Sequence, residues 1–154
     1  MKRFMKIRSL MLTLFLLLGA LPAAATERPF ALNGSGVAAF VTDGAGNIIG
    51  ANPTGSGTAT HLGSFTVAGT VTFTLDNGVL RSHGEAALIA ANGDNLNVVL
   101  DGALDPNTGT DHGIFSIVGG TGRFDGASGS GDFVVTINPI TGGFEITVVA
   151  RINY

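Results

Sequence analysis

The sequence predicts an all-β protein: an eight-stranded antiparallel closed β-barrel following an N-terminal export signal. Three observations carry this. From Phe65 to Leu75, apolar Phe65, Val67, Val71, Phe73 and Leu75 alternate with Thr66, Ala68, Thr70, Thr72 and Thr74, a period of two that gives a strand one buried and one wet face. Val, Ile and Thr supply 36 of the 129 residues from Thr26 onward, while the helix formers Lys, Met and Gln are missing there. Finally, the expected strands hold no Lys and no internal Pro, the devices that protect open edges. Closure of the sheet on itself is therefore favoured over a sandwich.

The first element is the signal. Lys2, Arg3, Lys6 and Arg8 precede an apolar run from Leu10 to Leu18, then Pro22 and Ala23-Ala24-Ala25 supply a break and small residues for cleavage. The apolar stretch is shorter than the roughly 20 residues of a spanning helix, which favours a signal peptide over residues 1–25 to an uncleaved anchor. A single domain over 26–154, secreted or periplasmic, follows. Asn33-Gly34-Ser35 has the form of a glycosylation sequon and is read as a turn.

Strands are then expected at 36–42, 55–61, 65–75, 81–91, 95–104, 113–118, 131–138 and 144–153. Between them lie residues that tolerate positive φ or preset a turn: Asp43-Gly44, Asp76-Asn77-Gly78, Asn92-Gly93-Asp94, Asp105-Pro106-Asn107, and Asn138-Pro139 leading to Gly142-Gly143. No stretch has a convincing apolar period of 3.6, so the strands form one meander. Gly69 falls in the inward series of its strand, where a missing side chain lets the sheet coil.

Composition excludes several function classes. Without residues 1–25 the chain has four arginines, no lysine and eleven acidic residues, a net charge of −7 with His neutral. Such a surface repels phosphate backbones and anionic headgroups, so no nucleic-acid partner is expected, nor electrostatic membrane binding after signal removal. The absence of Cys removes disulfides, thiolate catalysis and Cys-ligated zinc. No serine sits in a nucleophile-elbow pattern. One Tyr and no Trp argue against a sugar-stacking surface.

His61, His83 and His112 are the candidate metal ligands. A meander puts His83 and His112 near one end and His61 near the other, so a three-histidine site conflicts with the topology. Two histidines with Glu85 or Asp111 are the surviving arrangement, but no metal or other cofactor is expected. Arg81, His83 and Glu85 share one strand face and suit an exposed cross-strand ion pair, leaving Ala86, Leu88 and Ala90 to face the interior. Gly120-Thr121-Gly122 with Gly126 has a nominal likeness to a phosphate loop, which needs a helix directly after it. Phe133, Val135 and Ile137 alternate as a strand instead. A calcium-binding glycine repeat fails because tandem nonapeptides are absent.

The most distinctive run is Ile117-Val118-Gly119-Gly120-Thr121-Gly122-Arg123-Phe124-Asp125-Gly126-Ala127-Ser128-Gly129. Its consecutive glycines permit a tight reversal, and Phe124 is placed to plug a barrel end. This run resembles the signature of the allene oxide cyclase and dirigent superfamily, in which a strand ends in a Gly-Gly-Thr-Gly turn followed by Phe. Thr58 to Thr66 is similar to a segment of small exported bacterial proteins assigned to the same barrel. Together the two matches span about 22 residues. The resemblance implies an eight-stranded barrel, often trimeric, with an apolar cavity that in some members shapes reactive intermediates without a cofactor. Gly119, Gly120, Thr121, Gly122, Phe124, Gly126 and Gly129 are the architectural signature. The reactive groups of the family's enzymes have no residue-by-residue match.

The function expected is therefore binding of a small apolar ligand, or a structural role. A cofactor-free cyclase or isomerase working by cavity shape is the alternative, with Arg123 and Asp125 as first catalytic candidates. An eight-stranded outer-membrane barrel is a second alternative, suggested by the alternation from Phe144 to a terminal Tyr154 but short of aromatic girdles.

Overall fold

A computed structural model describes residues 26–154, so the signal assigned to 1–25 lies outside the described residues. Eight strands follow in order: β1 (Arg28–Thr42), β2 (Ile48–Ala59), β3 (Gly63–Asp76), β4 (Val79–Ala90), β5 (Asn95–Asp105), β6 (Thr110–Gly120), β7 (Ser128–Ile137) and β8 (Gly143–Asn153). Each pairs antiparallel with the next, and β8 returns to β1 from Arg28↔Ile152 to Val37↔Gly143. The ring is closed. No edge strand needs protection, which is why strands without lysine are tolerated.

The alternation read from β3 is realised: Phe65 is buried, Val67, Val71 and Phe73 are half-buried, and the threonines between them face solvent. Ladder partners carry the inward phase around the ring, so Phe65 pairs with Ala90, Val67 with Leu88 and Gly69 with Ala86. The interior placement of Ala86, Leu88 and Ala90 holds.

Several boundaries differ from expectation. β1 begins at Arg28, well before Gly36, and carries Asn33-Gly34-Ser35 in its middle, so this segment is strand and not turn. Its backbone is held on both sides, with Gly34 paired to Gly57 and Ile146. β2 begins at Ile48 and contains Pro53, against the expectation of no internal proline. The barrel accommodates it by a gap: Ala51 pairs with Val71 and Thr54 with Ala68, while Asn52 and Pro53 have no ladder partner in β3. Proline lacks the amide that such a partner would require. His61 leaves its expected strand for the β2–β3 turn, at a φ of 68°.

The barrel has two unlike ends. The β2–β3, β4–β5 and β6–β7 connections and both described termini share one end, which is plugged. There Phe124 is fully buried in a one-turn 3₁₀ segment (Gly122–Phe124), with the Tyr154 ring 5.2 Å away and Leu62 buried beside the same cluster. Beneath the plug Phe30 and Phe115 stack at 5.9 Å. The four hairpins β1–β2, β3–β4, β5–β6 and β7–β8 surround the other end, which has no comparable plug.

Candidate functional site

Inside the ring, between the plug and the hairpin end, lies a cavity of about 100 Å³ whose exposed wall atoms are all apolar. Phe65 and Phe115 form its floor on the plugged side, Val98 and Leu100 one wall, and Phe144 and Ile146 the opposite one. These side chains meet because their strands alternate in phase: Val98 and Leu100 pair with Ile117 and Phe115, while Phe144 and Ile146 pair with Gly36 and Gly34. The wall of β1 and β2 is built mainly of small residues, which is where the empty volume comes from.

The inner wall carries one polar feature. Ser82 on β4 and Asp111 on β6 are 5% and 6% exposed, the buried polar side chains among the described residues. Ser82 Oγ donates to Asp111 Oδ1 at 2.9 Å. They reach each other across Gly102 of β5: a Cβ there would stand 2.5 Å from Asp111 Oδ1, 2.8 Å from Ser82 Oγ and 2.7 Å from the Phe133 ring. Burial pushes the Asp111 carboxyl above its ordinary value, and the Ser82 hydrogen bond and nearby His112 only partly oppose this. Sequence reasoning considered Asp111 only as a metal ligand beside His83 and His112. The structure separates them, since Asp111 faces inward while His83 and His112 are exposed. The available signal was parity: Asp111 shares the phase of Phe115 and Ile117.

On the outer wall Arg81, His83 and Glu85 do share a face, but the close partner of His83 is Asp101 of β5. His83 Nδ1 donates to its carboxylate at 2.6 Å, whereas Glu85 stands 3.8 Å from Nε2. That bond holds the imidazole pKa above its ordinary value. His61 lies at the plugged end, donating to Pro29 O at 3.0 Å. Among the described residues no three His, Asp or Glu side chains converge as a metal site would require.

The glycine-rich signature forms the plug. A bulge at Gly119 shifts the β5–β6 register, Gly120 ends the strand, and Phe124 turns back so closely that a Cβ on Gly120 would lie 2.7 Å from Phe124 Cβ. Thr121 Oγ1 accepts from the Asn95 amide and its own amide donates to Asn95 O, each at 3.0 Å, tying the turn to β5. Gly126 follows the 3₁₀ turn at a φ of 70°, and Gly129 pairs with Ile117 and Ile152 at the start of β7. Arg123 lies over the Phe124 ring at 4.9 Å and 3.8 Å from Asp94, and Asp125 is exposed. Neither lines the cavity.

No family model and no curated protein matches the sequence. Solved structures do match. The pterocarpan synthase dirigent protein PsPTS1 superposes with a TM-score of 0.60 over 84% of this chain and 96% of its own, at 12% identity. The pterocarpan synthase dirigent protein GePTS1 gives 0.56 over 84% and 86%, at 14% identity. This is a dirigent-type β-barrel. Such low identity shows a shared fold and nothing of chemistry. In this dirigent-type barrel the sequence signature coincides with the end plug, an architectural role.

Proposed function

We propose that this chain is an exported barrel that binds a small apolar ligand in its interior. The observation that supports the reading is the wholly apolar cavity of about 100 Å³ at mid-barrel. Ligand pockets for drug-sized compounds run to about 300–1,000 Å³, so the occupant is small. A dry apolar cavity of roughly 150 Å³ takes up benzene, which sets the scale. A catalytic cyclase or isomerase draws support only from the neighbours being called pterocarpan synthases, and here it would have to work through Asp111, since Arg123 and Asp125 lie outside the cavity. A lipid-spanning barrel is disfavoured by the charges of Arg81, His83, Glu85, Asp101 and Asp132 on the outer wall, where an apolar band would be needed.

The test is thermal melting of residues 26–154 with benzene, toluene, indole and a cyclic monoterpene. A ligand at 100 times its Kd adds about 2.7 kcal/mol and raises the midpoint. Val98→Phe, which fills the cavity, is expected to abolish the rise. No shift with any compound would leave a structural role, with assembly into a homo-oligomer then measured by sedimentation.

A further inference from the structure

We infer that the hairpin end of the barrel is a docking surface for a neutral, zwitterionic lipid bilayer. This does not depend on the cavity holding a ligand. Six of the exposed large aliphatic side chains gather at this one end: Val41, Ile48 and Ile49 beside the β1–β2 turn, Leu75 and Val79 beside the β3–β4 turn, and Ile140 in the β7–β8 turn. Leu75 is 75% and Ile140 92% exposed, values that a soluble rim without a partner gives no reason for.

The tips are built to be desolvated. A bilayer interface penalises unpaired backbone groups, and these turns bond their own: Gly46 N donates to Asp43 O at 3.0 Å, Gly109 N to Asp105 O at 2.9 Å and Gly142 N to Asn138 O at 2.8 Å. Asn138 Oδ1 accepts from the amides of Ile140 and Thr141 at 2.9 and 3.1 Å, which fixes the loop with Ile140 outward.

Charge selects the partner. Asp43 Oδ1 accepts from the amides of Ala45 and Asn47 at 2.9 Å each, Asp105 Oδ1 accepts from the Asn107 amide at 2.9 Å, and Asp76 lies 3.9 Å from Arg81. The rim acids are thus turned into their own loops, and Arg81 is the cation nearest this end. Anionic headgroups would meet mostly acids, and two copies end to end would oppose acid to acid. A zwitterionic interface asks for no cation and accepts the aliphatic tips to the shallow depth typical of peripheral anchors, about 5–10 Å.

The test uses residues 26–154, whose ring closes within Arg28–Asn153 and which omits the apolar N-terminal run that would itself bind lipid. The protein is expected to co-sediment with phosphatidylcholine vesicles independently of salt, and less well when phosphatidylglycerol is added. Leu75→Asp with Ile140→Asp should lower the partition coefficient about tenfold or more, while Val118→Asp at the plugged end leaves it unchanged. If the double variant melts early, Ile140→Ser alone replaces it and should still weaken partitioning. No association with phosphatidylcholine, association that requires phosphatidylglycerol, or equal partitioning of the rim variants overturns the inference. So does a concentration-dependent dimer in vesicle-free sedimentation that the rim variants abolish, because the rim would then belong to a second copy.

Discussion

Ser82 and Asp111, 29 residues apart, meet on the inner wall of the barrel through a 2.9 Å hydrogen bond that passes over the bare backbone of Gly102. The pair places a carboxyl where its charge is poorly solvated and leaves it no cationic partner.

Asp111 makes stability fall as pH rises. Its folded-state pKa lies above the ordinary 3.8, so the folded protein holds the proton more tightly than the unfolded chain. The resulting stabilisation is complete below that ordinary value and is lost as pH climbs through the folded-state pKa. Asp111→Asn keeps a hydrogen-bonding group but removes the titration, so denaturant midpoints between pH 4 and 8 should show a flatter profile and a variant at least as stable as wild type at neutral pH.

Gly102→Ala removes the space in which the pair meets. Its methyl would press on Asp111, Ser82 and Phe133 together. Overpacking of this kind costs about 1–3 kcal/mol, to be read as a lower urea midpoint.

Phe124→Ala should unplug the closed end. The side chain is fully buried against Tyr154 and the β5–β6 wall, and deleting such a ring costs about 3–5 kcal/mol. Thermal melting would record it. Arg123→Ala touches only an exposed ion pair and the outer face of the ring, and should shift the midpoint by less than about 1 kcal/mol.

His83 should titrate above the ordinary 6.5 because its Nδ1 proton is held by Asp101. The raised value means that the stability contributed by this contact is full below 6.5 and vanishes as pH rises through the folded-state pKa. Imidazole resonances followed by NMR should show this, and Asp101→Asn should return His83 toward its ordinary value.

The period-two pattern made the strand faces legible, because alternation is a local property that a pleated backbone imposes on any sequence. For the same reason β3 and the interior series of β4 could be read in advance, and Phe124 between two glycines marked itself as a plug. The starts of β1 and β2 could not be read. Their small residues carry little hydropathy, and their strand geometry comes from partners on both sides, among them Gly57 and Ile146 for Gly34. Pro53 looked like a strand breaker because the interruption opposite it exists only once β3 is in place.

By itself the amino-acid order determined an all-β chain, the inward and outward faces, the turn positions and the aromatic stopper, since each follows from dihedral preference and side-chain parity over a few residues. Only the tertiary structure decided that the ring closes, that Asp111 turns away from the histidines to meet Ser82, that Arg123 and Asp125 lie outside the cavity, and that the aliphatic tips share one end. Those outcomes depend on register between distant strands, and register is fixed by the summed packing of the whole ring.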